Sequence, residues 1–119
     1  MSDSENAPVQ TLGQQRVHAD FNPAKNDTVD QVKNLAARMI DTVYQKGDRE
    51  GLNYMSRDFD NLVDQIGLNK ESEAQRCVSI SKKIQLEACT LINQGGDIEL
   101  IAELIETSTM YAVKANFKK

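Results

Sequence analysis

Tryptophan is absent from the 119 residues, and phenylalanine and tyrosine number only three each. Chain breakers are scarce too: two prolines and six glycines leave long stretches uninterrupted, which favours helices. Together these shortages predict an all-α fold. Positive charge is in deficit, with a net charge of −4 and a pI near 4.9. That argues against a general binder of DNA or RNA, whose affinity rests on neutralising many phosphates. A small phosphate ligand, needing only two or three local cations, remains compatible. No apolar run approaches the roughly 20 residues needed to span a bilayer, and the acidic opening MSDSENAPVQ is unlike a secretory signal. The two cysteines, Cys77 and Cys89, fall on one predicted helix about 18 Å apart, too far for a disulfide. Reduced thiols in a cytoplasmic protein are the simplest reading. With 39% hydrophobic residues, the chain has the makings of one small core, which oligomerisation would help to complete.

Residues 1–15 are polar without an apolar period and read as a disordered or extended N-terminal arm. From Arg16 to Phe21 a weak alternation suggests an extended lead-in, and Pro23 keeps Asn22 away from helical angles. Asn26-Asp27-Thr28 then forms an N-cap cluster, with Asp30 near the positive helix end. Val29, Val32, Leu35, Ala36, Met39, Ile40 and Val43 recur at steps of three and four, and Lys46-Gly47 fits a stop. A second helix is expected from about Arg49 to Ile66, closed by Gly67. A third starts at Asn69 or Ser72 and ends before Asn93-Gln94-Gly95-Gly96, its apolar face thinned by Ser81. Asp97 caps a fourth, whose small residues Ser108, Ala112 and Ala115 permit close helix approach.

Catalytic chemistry finds little to work with. The single histidine, His18, has no local nucleophile or orienting group, and the cysteines lack zinc spacing. Glu99, Glu103 and Glu106 form a carboxylate stripe, read here as a solvated helix face. The adjacent glycines 95 and 96 lack phosphate-loop spacing. No catalytic constellation, metal site or cofactor is expected, so an enzyme is the weaker class. A binding site is easier to sketch. Phe21 can stack on a base, Arg16 and Lys33 can meet phosphates, and Asn22, Asn26 and Thr28 can add hydrogen bonds. Residue types alone still favour the plainer alternative, with Phe21 stapling the lead-in to the helix and Lys33 a solvated lysine.

Two motifs change that balance. Phe21-Asn22-Pro23-Ala24, Val29-Asp30-Gln31-Val32-Lys33 and Ala37-Arg38-Met39-Ile40-Asp41 resemble the opening of the phage anti-CBASS cyclic-nucleotide sponges, which share a helical hairpin domain with Thoeris-antagonist sponges. Glu106–Ala115, ETSTMYAVKA, resembles that family's closing signature E-x-A-x-M-W-A-V-K-A. The likeness spans roughly Leu12–Val43 and Ile101–Ala115. Tyr111 stands where Trp is common, Ser108 replaces a usual Ala, and Glu103 sits where many members carry Thr. Residues 47–96 exceed the connection expected between the two family helices.

The apolar periods and length predict a helical hairpin or bundle of about four helices, with residues 16–119 as one domain. The resemblance implies that 16–46 and 97–119 form the family-like hairpin and 47–96 a helical elaboration. It further implies a homo-oligomer, commonly a hexamer, with pockets where protomers meet. In function it implies immune evasion by sequestration: binding cyclic di- or trinucleotides such as cyclic GMP–AMP without cleaving them, in the host bacterial cytoplasm, with no role for polymeric nucleic acid or membranes. The matching ligand positions are Phe21 for base stacking and Lys33 for phosphate, with Arg16, Asn22, Pro23 and Thr28 as neighbours. Lys114 matches the closing motif, in a structural or second-pocket role. The alternatives are a sponge for Thoeris cyclic ADP-ribose signals and a helical protein–protein interaction module.

Overall fold

The computed structural model describes residues 9–19 and 27–119, which form five α-helices and no strand. They are α1 (Leu12–Val17), α2 (Thr28–Tyr44), α3 (Arg49–Gly67), α4 (Ser72–Gln94) and α5 (Ile98–Phe117). Short connections make α2 to α5 an up-and-down bundle. Helix α5 packs most extensively on α4 and also touches α2, while α1 lies on α2 and reaches α5. The extents of 53 × 35 × 19 Å describe a slab about two helix diameters thick.

Local chemistry sets most of the helix ends. Asp27 accepts from the Asp30 N–H at 2.9 Å and Asp97 from the Leu100 N–H at 2.9 Å, so two expected caps are in place. Asp48 starts α3 in the same way, accepting from Glu50 at 3.1 Å. Gly95 ends α4 with a left-handed φ of 69°. The end of α2 departs from the Lys46-Gly47 expectation. The helix stops at Tyr44, and Lys46 itself takes the left-handed turn at φ 53°.

The arm expected over residues 1–15 is corrected where it is described. Leu12–Val17 is helical, which also replaces the extended lead-in at Arg16 and Val17. A reciprocal capping box drives this turn: Thr11 Oγ1 accepts from the Gln14 N–H at 3.1 Å, and Gln14 Oε1 accepts from the Thr11 N–H at 2.8 Å. Tertiary contact holds it in place. Gly13 lies so close to α2 that a Cβ there would fall 2.0 Å from the Ala37 carbonyl oxygen.

The core gathers the apolar stripes of all four long helices around the fully buried Phe59, Met39, Ile40 and Ile105. The α4 stripe differs from the expected one. Ser81 and Gln85 lie on it, fully buried. Ser81 does not interrupt the face, because it is paired: its hydroxyl donates to the Ser108 carbonyl at 2.8 Å, and the Ser108 hydroxyl donates to the Ser81 carbonyl at 2.8 Å. Each bond satisfies a buried polar group, and the two small side chains bring α4 and α5 together. Gln85 donates to Ser56 Oγ at 3.1 Å. Nearby on α3, Asp60 Oδ1 has no hydrogen-bond partner among the described residues. Burial pushes the Asp60 carboxyl up to about 6; Lys82 opposes the rise and Asp64 adds to it.

Candidate ligand-binding groove

Helix α1 places Arg16 over the seam between α2 and α5. The guanidinium donates to the Tyr44 hydroxyl at 2.7 Å, to Glu99 at 2.9 Å and to Glu106 at 2.5 Å. It also sits 5.9 Å from the centre of the Tyr44 ring. The Tyr44 hydroxyl donates in turn to Glu99. One arginine from α1, one tyrosine from α2 and two glutamates from α5 therefore form a single clasp. Hydrogen bonding to Glu106 raises the Arg16 pKa above its ordinary value, outweighing its burial. The Tyr44 hydroxyl, followed by Arg16, holds the Glu99 carboxyl below its ordinary value. The same hydrogen bond to Glu99 raises the Tyr44 phenol. Two members of the carboxylate stripe are thus ion-paired to Arg16, while Glu99 and Glu103 keep the exposed face expected of them.

Beside this clasp a groove of about 570 Å³ runs between the end of α1, the second turn of α2 and the outer face of α5. Val17, Met110, Val113 and Phe117 give it apolar walls. Lys33 and Lys114 bring positive charge, and neither forms an ion pair among the described residues. The Lys114 ammonium lies 5.1 Å from the centre of the Tyr111 ring, so an aromatic at 111 carries a cation–π contact. Glu103 and Glu106 also line the groove, as do Arg16, His18, Thr107 and Thr109. The charge is mixed: two ammonium groups without an ion pair among the described residues share the space with carboxylates and hydroxyls. Such a surface can bind an anion that also carries hydrogen-bond donors and flat apolar parts. The volume falls within the range of small-molecule pockets, roughly 300–1,000 Å³.

Of the residues singled out from sequence, Arg16, Lys33 and Lys114 meet at this one groove. Arg16 arrives with its guanidinium already engaged, so among the described groove residues Lys33 and Lys114 are the lysines placed to meet a ligand. Thr28, the first residue of α2, does not line it. Phe21, Asn22 and Pro23 lie outside the described residues. The sequence reading missed the α5 wall of Met110, Val113 and Phe117, and it missed α1. The Thr11-x-x-Gln14 pattern was the available signal for α1.

No group of His, Cys, Asp or Glu among the described residues is placed to hold a metal ion, and no helix there is long and apolar enough to cross a membrane. A scan against protein-family models, a search of curated proteins and a search of solved structures each return no match.

Proposed function

We propose that this protein binds a cyclic oligonucleotide second messenger and sequesters it uncleaved, acting in the bacterial cytoplasm as a phage antagonist of CBASS immune signalling. One observation carries the reading. Lys33 and Lys114, drawn from the two family-like motifs, and Arg16, their neighbour in the matching stretch from Leu12 to Val43, come from three different helices and line a single groove. The ammonium groups of Lys33 and Lys114 meet the phosphates of the ligand. The apolar wall of Met110, Val113 and Phe117 takes its bases. Arg16 works indirectly, tying α1 to α5 so that the groove keeps its floor. The groove is open to solvent on one side, and a second copy of the chain in a homo-oligomer, a hexamer on the family pattern, covers it.

A thermal-shift panel tests this reading, because a ligand that binds only the folded state raises apparent stability. Cyclic GMP–AMP, cyclic di-AMP, a cyclic triadenylate and cyclic ADP-ribose form the panel. A rise with a cyclic di- or trinucleotide is expected. A rise with cyclic ADP-ribose alone moves the assignment to a Thoeris signal, and no rise with any of the four counts against the proposal.

A further inference from the structure

The turn between α3 and α4 belongs to the segment with no counterpart in the family-like motifs, yet it grips the helix that walls the groove. Asn69 takes a left-handed φ of 64°, and the next residue, Lys70, reaches the C-terminal end of α5. Its ammonium donates to the carbonyl oxygens of Ala115, Asn116 and Lys118 at 3.1, 2.8 and 2.8 Å. An ammonium has three N–H donors, and all three are used. The end of a helix leaves its last carbonyls without intrahelical partners and concentrates the negative end of the dipole, so a cation there answers both needs. Two more contacts close the same joint: the Glu71 N–H donates to the Lys119 carbonyl at 2.9 Å, and Lys118 lies 3.6 Å from the Glu73 carboxylate.

Two groove residues, Lys114 and Phe117, sit in that last turn of α5. Phe117 is 80% exposed, so burial does not fix its place and the backbone beneath it must. We infer that Lys70 is a positioning residue for the groove, closing the end of α5 so that Lys114 and Phe117 are held in register with Lys33. This inference rests on the groove being the nucleotide site. It gives the inserted helices a role, since residues 47–96 deliver an ammonium that caps this wall.

The test uses the full chain with Lys70→Met, which keeps the aliphatic stem, and Lys70→Arg, which keeps the donors. Amide hydrogen exchange over residues 114–119 is measured without ligand, and affinity for cyclic GMP–AMP is measured by calorimetry. In Lys70→Met, exchange at 114–119 should quicken about tenfold and affinity should fall about tenfold, while exchange in α2 and α3 stays as in the parent. Lys70→Arg should restore most of both. Unchanged exchange in Lys70→Met overturns the inference, as does quickened exchange with parent-like affinity. If the parent protein binds no cyclic nucleotide while the exchange difference stands, the nucleotide reading of the groove is overturned and the clamp on α5 is not.

Discussion

The backbone N–H of Gly13 donates to Asp41 Oδ1 at 2.8 Å, so a carboxylate on α2 completes the first turn of α1. Asp41 closes the A-x-M-I-D segment of the opening motif, which gives that position a structural duty: it docks the helix that carries Arg16.

The same docking makes Gly13→Ala costly. The added Cβ would meet the Ala37 carbonyl oxygen at 2.0 Å, a backbone atom that cannot swing aside. Helix α1 must lift, breaking the bond to Asp41 and loosening the Arg16 clasp. A loss of roughly 1–3 kcal/mol in urea unfolding is expected. Parent-like stability would show that α1 is not packed as described.

The clasp should make the protein sensitive to acid in a defined direction. Glu99 is held below its ordinary value, chiefly by Tyr44 and then by Arg16. A depressed carboxylate stabilises the fold above its ordinary value of about 4.3, and that contribution is lost as pH falls through the depressed value. Tyr44→Phe removes the largest cause. Its urea midpoints should therefore fall less steeply with acid than those of the parent below about pH 4. Identical slopes would mean that the hydroxyl does not hold Glu99.

Asp60 should act in the opposite sense. Its carboxyl is raised to about 6, so its contribution is fully present below the ordinary value of 3.8 and is lost as pH rises through 6. Asp60→Asn keeps the shape without the charge. After allowing for solvent screening of a half-buried group, a gain of about 1 kcal/mol is expected at pH 8, with little change at pH 4. Equal effects at both values would assign the difference to packing.

Arg16 and Lys33 should separate into two kinds of variant. Lys33→Ala should keep parent stability and lose about 10–100-fold in nucleotide affinity, the usual worth of a charge-assisted hydrogen bond. Arg16→Met leaves Glu99 and Glu106 without their cation and should lower the urea midpoint before any ligand is added. Equal stability in both variants would remove the division of labour between clasp and phosphate contact.

Much of the fold is legible in the sequence because its signals are local. The apolar steps from Val29 to Val43, the caps at Asp27 and Asp97, and the left-handed Gly95 each act within one or two turns. Helix α1 was harder to read. Six residues are too few to nucleate alone, and its capping box succeeds because Ala37 and Asp41 receive it. Ser81 and Gln85 hide for a related reason: a polar residue reads as surface until its buried partner is known, and Ser108 and Ser56 lie on other helices. At the site, the two motifs mark Lys33 and Lys114 as residues of interest, and the wider matching stretch adds Arg16. The charge balance among them was not readable, because the carboxylates that engage Arg16 are brought to it by the chain's fold.

The most direct test of sequestration is a capture-and-release measurement. The purified protein is saturated with cyclic GMP–AMP, freed of unbound ligand by gel filtration, then heated, and the supernatant is analysed by mass spectrometry. The account expects the nucleotide to elute with the protein and to be released intact and cyclic, with Lys33→Ala retaining far less. A linear or shortened product, or no nucleotide carried through the column, would contradict it.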